Sequence, residues 1–203
     1  YEGRTYEDFM CFIADNPDVP VVQMDSVIGN KSGKVLLTMF SQNTNLLLAF
    51  LRDHNTARSV LDVFNDLYAM FGREIYCRLF PVILTDRGSE FSNPVPIEQD
   101  ENDELRSLVF YCNPSAPYQK GGIEVAHELV RRVLPKGKSF DDLQQEDIDL
   151  MLSHINSYKR GKLNSRSAYQ LFNFIYGDDI LPKLNIREIE ANDIVLSPKL
   201  LKK

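Results

Sequence analysis

Three carboxylates stand where a chain of 203 residues could put them to work together. Asp25 ends the apolar run Val21-Val-Gln-Met-Asp25. Asp86 directly follows Phe80-Pro-Val-Ile-Leu-Thr85, and Glu124 comes two residues after Gly121-Gly122. Ligands of open α/β sheets gather at strand ends, so an Asp at each of two neighbouring strand ends is well placed to hold one. Two carboxylates a few ångström apart are unfavourable unless a cation compensates them. A hard divalent ion with oxygen ligands is the natural partner. Taken singly, an Asp after a strand also serves as a plain turn residue.

The elements that must position these groups can be read from periodicity. Residues 21–25, 34–40 and 45–51 are short apolar runs divided by turn signals at 29–33 and 41–44, which predicts an antiparallel meander. Val60, Phe64, Leu67 and Phe71 then recur at helical spacing after Asn55-Thr56, with Gly72 as the expected stop. Residues 80–85 read as a strand buried on both faces, and 109–112 as a fifth strand. The acidic stretch 98–104 is expected to open a short helix. Further helices are expected over 122–134, from a cap at Ser139 with Asp142 through Tyr158, and over 167–176; a basic loop covers 159–166. This order predicts an α/β fold, a mixed five-stranded sheet with helices on both faces.

Composition bounds the rest. Hydrophobic content of 43% with twelve Phe and nine Tyr fills a sizeable core and excludes disorder. Lys and Arg total 23 against 29 Asp and Glu, a net charge of −6, which on its face argues against nucleic acid. The surplus is local, however. Stretches 98–104 and 141–149 each carry five acids with no Lys or Arg, whereas 159–166 is wholly basic. The balance therefore predicts weak DNA affinity rather than none. Cys11, Cys77 and Cys112 lack metal-type spacing and read as small core residues in a reduced cytoplasm. No run is long enough for a membrane span, and the first residues lack the layout expected of a signal peptide. The chain begins at Tyr1, as an excised piece of a longer protein would.

The blocks Val22-Gln-Met-Asp25, Thr85-Asp-Arg-Gly-Ser-Glu-Phe91 and Pro117-Tyr-Gln-Lys-Gly-Gly-Ile-Glu124 resemble the three signature segments of DDE transposase and retroviral-type integrase cores. Within that superfamily the chain looks most like bacterial insertion-sequence transposases of family thirty. Val133-Leu-Pro-Lys-Gly137, Asn156-Ser-Tyr-Lys-Arg-Gly-Lys-Leu163 and Ala168-Tyr-Gln-Leu-Phe172 extend the likeness over 21–172. The resemblance implies an RNase H-like core over 20–160, after a lead-in segment (1–19) and before a C-terminal helical extension and tail (161–203).

It also implies that Asp25, Asp86 and Glu124 are the catalytic and metal-binding triad, holding two Mg²⁺ or Mn²⁺ ions for cutting and joining DNA. Ile123 and Val125 flank Glu124 where the family often carries Asn. Tyr118, Gln119, Lys120 and Gly121 before the helix, Arg131, Arg132 and Lys136 along and after it, and Lys159, Arg160 and Lys162 in the loop are the expected DNA contacts. His127 and Glu128, one turn past Glu124, are candidate auxiliaries; a solvated helix Glu is the other reading of Glu128. The implied partners are element ends, target DNA, a homo-oligomer on DNA and an N-terminal helix-turn-helix domain outside this chain. The implied location is the bacterial cytoplasm, at the nucleoid. A related nuclease that cuts without joining, and an inactive core kept for DNA binding or assembly, are the competing expectations.

Overall fold

The computed structural model describes residues 1–30 and 33–201, apart from the side chain of Lys162. Strands β1 (Val21–Ile28), β2 (Val35–Ser41) and β3 (Leu47–Arg52) form the expected antiparallel meander. Strands β4 (Val82–Thr85) and β5 (Leu108–Tyr111) add on the other side of β1, in parallel, giving the order β3-β2-β1-β4-β5. The parallel step needs a long crossover, supplied by helix α2 (Ala57–Leu79).

Alternation along β1 separates two jobs. Val22 and Met24 enter the main core with Ile83 of β4 and Val60, Phe64 and Leu67 of α2. Gln23 and Asp25 point to the opposite face. There Val21, Val82, Leu84 and Phe110 form a smaller apolar cluster under α1 (Tyr6–Asp15), whose Phe9 and Phe12 rings lie 5.7 and 5.6 Å from Phe110. Helix α4 (Gly121–Val133) lies on β1 and β2. Helix α5 (Gln145–Ser157) guards the sheet edge. Its Asn156 and Gln145 side chains bond Leu47 N–H and O, Ala49 O and Leu51 N–H on the outer side of β3, which covers much of that edge. Helix α6 (Ala168–Tyr176) follows, with a capping box from Ser167 and Gln170.

Four expectations change. Helix α2 runs past Gly72, which takes φ +70° and kinks the helix; Ile75, Tyr76 and Leu79 continue the apolar spacing beyond it. The short helix α3 is Val95–Glu98, so it ends where the acidic stretch begins, and Asp100 folds that stretch into a turn by accepting from Asn102 and Glu104 N–H. Ser139 bonds Asp141 rather than capping a helix, and α5 starts at a box formed by Gln144 and Asp147. Of the cysteines only Cys112 is buried, and Cys11 is exposed. Among the described residues no helix is long and apolar enough to cross a membrane.

Candidate active site

The register of β1 with β4 pairs Gln23 with Leu84, and continuing it two residues sets Asp25 level with Asp86. Thr85 locks this junction, its hydroxyl donating to Met24 O at 3.2 Å. The two carboxylates meet through a third residue. Lys120 Nζ lies 3.2 Å from Asp25 Oδ2 and 3.2 Å from Asp86 Oδ2, and donates to Met24 O at 3.2 Å. The Lys120 side chain is only 4% exposed, against 19% for Asp25 and 46% for Asp86. Lys120 thus sits inside the site, not on a surface facing phosphates.

Both Asp side chains are also braced locally. Asp25 Oδ1 accepts from Ser26 N–H, and Asp86 Oδ1 accepts from Gly88 N–H, closing the turn after β4. Burial pushes the Asp25 carboxyl above its ordinary value; Lys120 opposes that shift and Asp86 adds to it.

Helix α4 is seated over this face at two points. Gln23 Oε1 accepts from Ile123 N–H at 2.7 Å, satisfying a free donor of the helix start. A Cβ on Gly122 would stand 2.5 Å from Phe40 Cε1 and 3.0 Å from Gln23 Oε1, so only glycine permits this approach. One turn on, His127 Nε2 lies 2.8 Å from Thr38 Oγ1, and the Thr38 hydroxyl donates to Asp25 O at 3.0 Å. Because that hydroxyl proton is spent on Asp25, His127 must carry its proton on Nε2 and donate. Burial, with Lys120 and Arg131 nearby, pushes His127 down to about 4.

His127 therefore braces the backbone of Asp25 as a neutral imidazole. A depressed folded-state pKa means the unfolded chain takes up the proton first, so stability is lost as pH falls from about 6.5 toward 4. We expect His127→Gln to flatten this part of the pH–stability curve, a difference of roughly 2–3 kcal/mol across the window, read by urea melts at several pH values.

A polar network backs the other side of Asp25. Arg52, buried and pushed down to about 10 chiefly by desolvation, donates to Ser26, Ser59 and Asn55, and Asn55 donates to the buried Glu90. Sequence reading missed Lys120 as a site cation and missed Gln23, Thr38, Arg52, Asn55 and Glu90. Two of them carried a signal: Gln23 lies two residues before Asp25, on the same strand face, and Thr38 interrupts an apolar strand.

The remaining expected site residues divide. Glu124 lies in the first turn of α4, exposed, as does Glu128 one turn later. Among the described residues no group of three or more His, Cys, Asp or Glu side chains is gathered closely enough to hold a metal ion. The donor chemistry nonetheless suits a hard cation, since Asp25, Asp86 and the Met24 carbonyl turn three oxygens on one ammonium. Gln119 is buried and spends its carbonyl on Asn113 N–H, so it does not face solvent. Tyr118, by contrast, is 79% exposed.

Gly121 and Arg160 line one cleft of about 340 Å³ with Gln23, Phe40 and Asn45. Arg160 donates to Asn45 O at 3.4 Å, while its Nε and Nη2 are buried without a hydrogen-bond partner among the described residues. Arg131 donates to Ile28 O, and Arg132, Lys136 and Lys159 are exposed. The side chain of Lys162 lies outside the described residues.

Comparison with known proteins agrees with this architecture. No family model matches the chain. A protein provisionally named integrase ORF3, from Spiroplasma virus SpV1-R8A2 B, is 29% identical over 154 residues, covering 74% of this chain and 45% of its own length. The transposase InsI for insertion sequence element IS30A of Escherichia coli K12 is 22% identical over 147 residues, covering 72% and 36%. The matched region spans less than half the length of either relative.

Two solved structures share the fold. An intasome of simian T-cell lymphotropic virus, in complex with PP2A regulatory subunit B56 gamma, gives a TM-score of 0.56 at 16% identity, covering 84% of this chain and 58% of that one. The HTLV-2 integrase catalytic core domain in complex with magnesium gives 0.51 at 14% identity, covering 74% and 94%. The fold is RNase H-like, as in retroviral integrase cores, and the sequence is similar to integrases and family-thirty insertion-sequence transposases.

Proposed function

We propose that the chain is the catalytic core of a DNA transposase or integrase, cutting and joining DNA strands by metal-dependent displacement at phosphorus. The observation that carries this reading is the convergence of Asp25 and Asp86, from adjacent parallel strands, on a single cation position. Asp25 and Asp86 would hold divalent ions, Mg²⁺ by default with Mn²⁺ as a substitute, and Glu124 would complete the set from the helix seated over them. Two ions held there would stabilise charge on both the attacking and the leaving oxygen.

The chain's own residues would do the positioning. Thr38 and His127 fix the backbone of Asp25, while Ser26 and Gly88 N–H groups orient the two carboxylates. Arg160, whose Nε and Nη2 have no partner among the described residues, and the exposed Gly121 would contact a DNA phosphate, and the exposed Arg132, Lys136 and Lys159 would contact others. Tyr118, largely exposed beside the site, would stack on an unpaired base at the cut. Attack by water cuts and attack by a DNA 3′-hydroxyl joins, so no covalent protein–DNA bond is needed.

The similar proteins are named as a transposase, an integrase and an intasome, which supports element ends and target DNA as substrates and a homo-oligomer assembled on DNA. A helix-turn-helix domain outside this chain would recognise the ends, placing the protein at the bacterial nucleoid. The test is strand transfer with Mg²⁺ or Mn²⁺ on duplexes carrying element ends, with native protein and Asp86→Asn. The native protein is expected to cut and join, and Asp86→Asn to do neither. Activity that survives Asp86→Asn defeats the assignment, and cutting without joining makes the protein a nuclease.

A further inference from the structure

We propose that the Lys120 ammonium is a built-in counter-cation, competing with a divalent ion for Asp25 and Asp86 and withdrawing when that ion binds. The inference rests on reading the two carboxylates as metal ligands. Lysine is almost never buried unless it is paired. Lys120 is buried where its three N–H donors meet three oxygens, Asp25 Oδ2, Asp86 Oδ2 and Met24 O, each at 3.2 Å. Those are also hard-cation donors, so ammonium and metal ion lay claim to the same oxygens. Two positive charges that close repel strongly in a partly buried site, and one must leave.

The chain supplies a way out. Lys120 sits at the junction between the turn Pro117–Lys120 and α4, on a flexible four-carbon stem, and the neighbouring Gly121 has open space where a Cβ would stand. Its backbone stays anchored, because Gln119 is tied to Asn113 on one side and Ile123 to Gln23 on the other. The head group can therefore move while the helix stays seated. Two consequences follow: before metal binding the carboxylate pair is held together rather than repelled apart, and metal affinity is lowered by the work of displacing the lysine.

The test is Mn²⁺ binding, followed by calorimetry and by electron paramagnetic resonance of the free ion. It uses the native chain, Lys120→Met, Lys120→Arg and each of these combined with Asp86→Asn. Lys120→Met is expected to bind Mn²⁺ at least about tenfold more tightly, through Asp86, because a competing unit charge is gone. Lys120→Arg is expected to show no gain. Without divalent ions Lys120→Met should also melt below the native chain, and Mn²⁺ should raise its melting temperature more.

Equal or weaker Asp86-dependent Mn²⁺ binding by a folded Lys120→Met protein overturns the competition and leaves the metal-site reading standing. Absence of Asp86-dependent binding in every variant overturns that reading, and the inference with it. If circular dichroism shows Lys120→Met unfolded, Lys120→Gln is read by the same criteria.

Discussion

Asp25→Asn is expected to lower strand cutting and joining by at least about 10³-fold while leaving the melting temperature at neutral pH unchanged or higher. The two halves of this result have one cause. Burial raises the Asp25 carboxyl above its ordinary value, so holding it ionised costs more in the folded protein than in the unfolded chain. Asn keeps the shape, still accepts from Ser26 N–H, and removes that cost; Lys120 keeps Asp86 and Met24 O as partners. The same sign predicts that the stability gap closes on acidification, since the native carboxyl then takes up its proton preferentially in the folded state. Thermal melts at neutral and acidic pH, run beside the strand-transfer assay, check both halves. A variant that loses activity only because it has unfolded would contradict this account of Asp25.

The second large effect is expected at Gly122→Val. A side chain there must displace the Phe40 ring and the Gln23 amide, which together seat the start of α4. Overpacking of this kind costs about 3 kcal/mol. Because Glu124 lies two residues on, a tilt of the helix start moves it with respect to Asp25 and Asp86, and activity should fall by about 10²-fold even at temperatures where the protein stays folded. Gly121→Ala is the control. A Cβ at Gly121 meets nothing within 4 Å among the described residues, so its stability should change by less than about 0.5 kcal/mol. Urea melts of the two variants separate packing from chemistry, and comparable losses at both positions would refute the steric explanation.

The sheet was legible in the sequence because its strands are apolar runs cut by turn residues, and the change to helical spacing at Val60 marks the crossover that makes β4 parallel to β1. That one topological step also brings Asp25 and Asp86 together. Lys120 was misread for a physical reason: lysine is usually exposed, and nothing local reveals that two carboxylates from distant segments will enclose it. The polar residues behind Asp25 were hidden likewise, since Arg52, Asn55 and Glu90 are joined only by the folded chain. Gly72 illustrates a different limit. A glycine in a helical pattern reads as a stop, but the tyrosine and leucine beyond it still bury themselves, so the helix resumes after a kink.

The order β3-β2-β1-β4-β5 also has a consequence during synthesis. Strands β1, β2 and β3 are sequence neighbours and can pair as soon as they are made, whereas β4 must cross over α2 before it reaches β1. A nascent chain that has folded only its meander presents Asp25 without Asp86 and without Lys120. Whatever chemistry the assembled pair performs is withheld from an incomplete polypeptide, because the last parts of the site to leave the ribosome are the ones that must dock across the sheet.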